Sequence, residues 1–239
     1  MRMFVNENRK RNQKVYWDNG LDNKKLWFKN RKIEGPDWYY YNKDENYISY
    51  IRNEFGFRER SVAEIDWSNF IVLFGCSVVE GIGNTLEDTI GKNLERILDI
   101  PVLNFGISGS GVDIACINSL ILHNDYPRPK AVIQMWSGLS RYTDFISGTR
   151  STGYYPNMPT YDPKYMWEER NKFYVEADRV LWKDKTIYYE GSTFFDTARA
   201  LNVTFFKEYD LSRDKDHPGY QTNKLIAEDI AKNLKEKGL

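Results

Sequence analysis

Ser77 and His217 occupy two short motifs whose residue types make chemical sense together. Ser77 closes Phe74-Gly75-Cys76-Ser77, directly after an apolar run, and Val78-Val79-Glu80-Gly81 follows. A serine hydroxyl is a poor nucleophile until a base takes its proton. The chain holds only two histidines, so the search for that base is short. His217 lies in Asp214-Lys215-Asp216-His217-Pro218-Gly219, where a turn can carry the Asp214 carboxylate onto one imidazole nitrogen. That contact fixes the tautomer and leaves the other nitrogen to face the serine. Asp216 is the fallback for the orienting acid. His123, beside Asn124 near the end of a helical pattern, reads as a surface or capping residue. Ser77, His217 and Asp214 are the types required for attack on an ester carbonyl through an acyl-enzyme.

Competing chemistries lack their spacing. There is no H-E-x-x-H and no C-x-x-C, and the two histidines are far apart, so neither a metal nor a cofactor is expected. Gly81-Ile82-Gly83-Asn84 and Gly106-Ile107-Ser108-Gly109-Ser110-Gly111 approach a dinucleotide fingerprint without completing it. No acid follows Phe105 to hold a ribose. Val79 occupies the second glycine position of a G-x-S-x-G elbow, which excludes that arrangement.

The elements that must position Ser77 begin at the continuous apolar run 70–74, the pattern of a strand buried on both faces. A helix is expected over 87–99, with Ile90, Leu94, Ile97 and Leu98 inward and acids in its first turn. A strand over 101–105 and a helix over 111–123 follow, the latter burying Ile114, Ile117, Leu120 and Ile121. A third strand covers 131–136. Three strand–helix alternations call for a parallel sheet covered on both faces. Ligands of such sheets bind at the carboxyl ends of the strands, which is where Ser77 falls.

Downstream, the Tyr-rich stretch 142–164 reads as a long loop, suited to a lid or substrate platform. Beyond it come a helix over 163–182, a strand near 186–189, a helix over 193–201 and a strand over 203–206. A last helix over 221–237 places Leu225, Ile226, Ile230 and Leu234 inward. Upstream, residues 1–30 read as an irregular arm or a short leading helix, and 36–60 as short strands ending in a turn. The expected organisation is an aromatic-rich extension over 1–60, packed on or beside a core domain over 61–239.

Bulk composition excludes several classes. Lys+Arg and Asp+Glu balance at 34 each, against a dedicated nucleic-acid or membrane-surface protein. Cys76 and Cys116 sit in apolar surroundings that suit reduced, buried thiols. No signal-like leader and no run of ~18 apolar residues is present, so a soluble, cytoplasmic protein is expected. Aromatics make up 15% of the chain, with 17 Tyr and 7 Trp, which serves either a packed core or a sugar-binding surface.

Taken together, four stretches resemble the SGNH hydrolases, the GDSL-type esterase and acyltransferase superfamily. They are Gly75-Cys76-Ser77 with Gly81, Asn104-Phe105-Gly106-Ile107-Ser108-Gly109, Asp214-x-x-His217, and the lead-in Asn53-Glu54-Phe55-Gly56-Phe57-Arg58. The resemblance implies a flavodoxin-like three-layer α/β/α sandwich with a parallel sheet of about five strands. It also implies Ser77 as nucleophile, His217 as base, Asp214 as orienting acid, and the Ser77 and Gly109 amides as oxyanion donors. Two positions depart from the pattern. Cys76 stands where the family has Asp, so the nucleophile turn must be held differently. Leu139, in Trp136-Ser137-Gly138-Leu139-Ser140-Arg141, falls where an Asn amide normally completes the oxyanion hole. Ser137, Ser140 and Arg141 are the candidates to replace it or to bind substrate; the alternative is a hole with only two N–H donors. The implied activity is hydrolysis of an ester, such as an O-acetyl group on a carbohydrate. The alternatives are acyl transfer on the same scaffold, or carbohydrate binding with weak catalysis.

Overall fold

The computed structural model describes residues 4, 11–18, 20, 22–144, 149–152, 163–184 and 186–239. Its centre is a five-stranded parallel sheet. The strands are β3 (Ile71–Gly75), β4 (Val102–Gly106), β5 (Ala131–Met135), β8 (Ile187–Ser192) and β9 (Thr204–Phe205), in the order β4-β3-β5-β8-β9. β3 is an interior strand between β4 and β5, with Gly75 level with Gly106 on one side and Met135 on the other.

Strand alternation divides the apolar residues between two layers. Ile71, Leu73, Val102 and Ile133 face α3 (Ile90–Leu98) and α7 (Tyr220–Glu236). Phe70, Val72, Phe74, Leu103 and Phe105 face α4 (Val112–Asp125) and α5 (Pro163–Leu181). The result is the expected α/β/α sandwich, in which both faces of every central strand are dry. That explains why β3 reads as a continuous apolar run instead of alternating. Two inward assignments are corrected: Leu120 of α4 and Leu225 of α7 are exposed, because each sits on the flank of its helix beyond the reach of the sheet.

The extension holds more helix and less strand than its sequence suggests. α1 (Lys24–Glu34) is capped by Asn23, whose side chain accepts from the Leu26 amide at 2.9 Å. The strands expected over 36–60 reduce to β2 (Tyr50–Ile51), paired antiparallel with β1 (Lys14–Val15). Residues 36–49 are turns whose aromatic spacing serves packing: Tyr40, Ile48 and Tyr50 form a cluster with Ile82 of the core. Part of the Tyr-rich stretch is an antiparallel pair, β6 (Arg141–Asp144) with β7 (Thr149–Thr152). Residues 145–148 and 153–162 of that stretch lie outside the described residues. The remaining short helix, α6 (Phe195–Leu201), joins β8 to β9. Among the described residues no helix is long and apolar enough to cross a membrane.

Candidate active site

Ser77 opens α2 (Ser77–Glu80), a single turn that begins as soon as β3 ends and stops at Gly81, in left-handed conformation (φ 76°). Ser77 is 6% exposed, and its Oγ lies 4.0 Å from the Sγ of Cys76. Cys76 is the N-cap but makes no side-chain capping bond, and its thiol packs into the core. The turn is held from its other end. Glu80 accepts the Ser108 amide at 2.7 Å and pairs with Arg52 at 3.1 Å. Arg58, fully buried, donates to the carbonyls of Glu80, Gly81, Ser49 and Asn84 at 2.6–3.2 Å.

β4 approaches α2 so closely that a Cβ on Gly106 would overlap the Glu80 amide nitrogen. Beyond it, Ile107–Ser110 forms a tight turn closed by the Ser110 amide on the Ile107 carbonyl at 3.0 Å. Gly109 takes the position of that turn with positive φ (76°), which only glycine adopts without strain. Asn104 secures the same junction, donating to the Val79 carbonyl at 2.7 Å and accepting the Gly106 amide at 2.9 Å. Ser77 and Gly109 therefore sit at the ends of neighbouring strands.

Asp214 and His217 share the loop that leads into α7. Asp214 Oδ2 lies 2.6 Å from His217 Nδ1. The other carboxylate oxygen accepts from Ser212 Oγ (2.6 Å) and from the amides of Asp216 (3.0 Å) and His217 (3.2 Å). Both residues are buried, at 4% and 5% exposure. Burial alone would raise the Asp214 pKa, but the His217, Ser212 and Asp216 contacts outweigh it and hold the carboxyl below its usual value. Burial lowers the His217 pKa, and the hydrogen bond and charge of Asp214, with the charge of Asp216, overcome that to raise it. Asp216 thus acts on His217 through its charge, while Asp214 makes the ring contact. His123 has no part in this cluster; its ring meets the edge of Trp182 at 5.1 Å between centroids.

Two hydrogen bonds tie the two halves together: Arg213 N to Gly83 O (3.0 Å) and Asn84 Nδ2 to Pro218 O (2.9 Å). The segment following Ser77 is thus fixed to the loop carrying His217. Ser77 Oγ makes no hydrogen bond to His217 in this structure; nucleophile–base pairs often tighten only when substrate is present. Behind the loop, Arg213 forms a buried bidentate pair with Asp22 (2.9 and 2.5 Å), and Asp22 also receives the hydroxyl of Tyr50 at 2.5 Å.

Past β5, Leu139 is buried in the apolar cluster with Trp136, Val175 and Trp182, so its side chain belongs to the core. Ser137 is buried with an unpartnered Oγ. Ser140 lines a cleft of about 460 Å³ with Gly138, Glu168, Phe194, Asp196 and Arg199. Arg141 lies with its guanidinium 5.0 Å from the centroid of Phe194, and its charge lowers the His217 pKa. Glu80, Arg52, Arg58 and the Asp22–Arg213 pair escaped the sequence reading. The hints were the three-residue spacing of Ser77 and Glu80 in one helical turn, and Arg58 at the end of the lead-in Asn53–Arg58. Among the described residues, no group of three or more His, Cys, Asp or Glu side chains could hold a metal ion.

No protein-family model and no curated protein matches the chain. Solved structures similar to it include a carbohydrate esterase family 2 enzyme with its carbohydrate-binding domain from Corynascus thermopiles (Myceliophthora fergusii), at 12% identity and a TM-score of 0.46. An acetyl xylan esterase from the rumen bacterium Butyrivibrio proteoclasticus is similar at 11% identity and 0.49. A member of the lipolytic protein G-D-S-L family from Veillonella parvula is similar at 12% and 0.45. The matches cover 70%, 74% and 68% of this chain, and 65%, 65% and 96% of the three structures. The chain thus spans just under two thirds of the length of the first two. At these identities the likeness is one of fold.

Proposed function

We propose that this chain is a serine esterase that removes an O-acyl group, acetyl in the simplest case, from a carbohydrate. The observation that carries the reading is the buried 2.6 Å contact between Asp214 and His217 Nδ1, in a loop bonded to the segment that follows Ser77. In this reading His217 Nε2 takes the Ser77 proton as Oγ bonds to the ester carbon. The carbonyl π electrons move onto oxygen, and the Ser77 and Gly109 amides receive the resulting oxyanion. Collapse breaks the ester C–O bond, and His217 returns its proton to the leaving sugar hydroxyl. Water, deprotonated by His217, then releases the acyl group as a carboxylic acid and regenerates Ser77.

A carbohydrate suits the cleft past β5, where Phe194 and Phe195 offer aromatic surface among Ser140, Glu168, Asp196 and Thr197, with Arg141 over the Phe194 ring. The described apolar groove that would suit a long acyl chain runs elsewhere, between α4 and α5, along Ile117, Leu120, Phe173 and Leu181. The test is fluorophosphonate labelling and p-nitrophenyl acetate hydrolysis, with acetate release from an acetylated oligosaccharide measured against p-nitrophenyl palmitate. Labelling and turnover should vanish in Ser77→Ala and His217→Ala, and the acetylated sugar should be preferred. Turnover that survives Ser77→Ala, or a preference for palmitate, sinks the reading.

A further inference from the structure

Leu139 is turned into the core, so a third oxyanion donor, which the resemblance implies, would come from elsewhere on the loop after β5. We propose that Arg141 supplies it, its Nη1–H donating to the tetrahedral oxyanion formed at Ser77. The inference rests on the esterase reading above.

Three observations carry it. First, Arg141 Nη1 is buried and has no hydrogen-bond partner. A buried donor of a cation without an acceptor costs free energy, and a charge that forms only during reaction would relieve that cost. Second, the residue is fixed. Its amide closes a turn on the Gly138 carbonyl at 3.0 Å, and the fully buried Asn171 of α5 donates to the carbonyls of both Leu139 (2.6 Å) and Arg141 (2.7 Å). Phe194 supports the guanidinium. Third, its backbone lies beside the segment that follows Gly109. A Cβ on Gly111, two positions beyond Gly109, would come within 3.0 Å of the Arg141 carbonyl oxygen, and the Arg141 charge is felt at His217. Ser137 is a poorer candidate because it lacks charge, and Ser140 lines the cleft. A charge-assisted donor is about twice as strong as a neutral one, so a guanidinium would more than replace an amide.

The same charge has a second consequence. His217 is surrounded by the acidic groups Asp214, Asp216 and Glu208, and Arg141 is the cation that opposes them. Removing it should move the acid limb of the kcat/KM profile to higher pH.

The experiment compares wild type, Arg141→Gln and Arg141→Lys on p-nitrophenyl acetate, with fluorophosphonate labelling rates and a thermal melt for each. Arg141→Gln should lose about 10²–10³-fold in kcat, with KM changed less than threefold and the labelling rate falling in parallel. Arg141→Lys should recover part of the loss, which a folding defect would not allow. A kcat within twofold of wild type overturns the assignment, whatever happens to the pH profile. A loss confined to KM overturns it too, because it would make Arg141 a ligand for an anionic substituent. A wild-type protein that neither labels nor hydrolyses would instead overturn the esterase reading and this inference with it.

Discussion

Replacing Asp214 by asparagine tests the base half of the site with almost no change in shape. The outcome depends on which way the new amide turns. Asp214 Oδ1 accepts three hydrogen bonds, from Ser212 Oγ, Asp216 N and His217 N, while Oδ2 meets only His217 Nδ1. An amide nitrogen placed at the Oδ1 position would leave those donors unsatisfied, at about 1–3 kcal/mol for each buried one. The carbonyl therefore takes the Oδ1 position and the NH2 group faces Nδ1. Nδ1 must then accept, which puts the ring proton on Nε2, where the proposed mechanism would send the Ser77 proton. The base is in the wrong tautomer. The imidazolium that the proposed attack would form also loses its counter-charge, worth about 4 kcal/mol at 4 Å in an effective dielectric near 20. Together these predict a loss of roughly 10⁴-fold in kcat, about 5.4 kcal/mol.

The assay is kcat on p-nitrophenyl acetate across pH, with a thermal melt to confirm folding. In wild type the raised His217 pKa places the acid limb of kcat/KM above the ordinary histidine value of 6.5. Asp216→Asn is the paired control: it leaves the ring contact intact and should change kcat less than about threefold, while moving the acid limb slightly down, because one positive influence on the His217 pKa is gone. The reasoning is refuted if Asp214→Asn keeps more than a tenth of the wild-type kcat, or if Asp216→Asn loses as much.

Three further outcomes test the packing around the site. Asp22→Ala strands Arg213 as a buried unpaired cation beside Asp214, and should cost about 3–5 kcal/mol in chemical denaturation; a loss below 1 kcal/mol contradicts it. Asp178, buried under β5 and β8, is pushed up to about 6 by burial, against hydrogen bonds from Tyr188 and Gln134. Because the folded state holds that proton longer than the unfolded one, this group makes stability fall by up to ~3 kcal/mol as pH rises from about 4 to 6. Asp178→Asn keeps an acceptor for both donors, so it should flatten that slope and be the more stable protein at pH 8, as measured by urea denaturation; a less stable variant there refutes the account. Gly106→Ala drives a methyl into the Glu80 amide, so a cost of about 1–3 kcal/mol or more and slower Ser77 labelling are expected; an unchanged melt would show that α2 is free to move.

The sheet was legible because each central strand is buried on both faces: Phe70-Ile71-Val72-Leu73-Phe74 has no polar residue to blur it. The Asp214–His217 contact was legible for a local reason, since a three-residue spacing needs only one turn, here with Lys215 at φ 65°, to close. What escaped depends on separation. Arg58 and Arg52 reach Glu80, 22 and 28 positions away, and Asp22 reaches Arg213, 191 away, and no short-range pattern encodes such contacts. Helix flanks were misjudged for a related reason. Leu120 and Leu225 fit the apolar period, but the period cannot say how far the neighbouring layer extends.

Those distant contacts answer the question that Cys76 poses. A carboxylate before Ser77 would accept strong hydrogen bonds from the turn, whereas the Cys76 thiol, a weak acceptor, makes no capping bond and meets only Ser77 Oγ at 4.0 Å. The turn is instead held from its carboxyl end. Glu80 lies on the same helical turn as Ser77, and its two oxygens bind the Ser108 amide of the neighbouring strand end and the Arg52 guanidinium. Arg58 then satisfies the carbonyls of Glu80 and Gly81 that the end of a one-turn helix leaves open. Both arginines come from the extension. Ser77 is therefore positioned by a network that starts outside the sheet, so residues 50–60 belong to the site as surely as β3 does. The same logic runs through Asp22 and Arg213 to the His217 loop, where a third residue of the extension supports the other half of the proposed constellation.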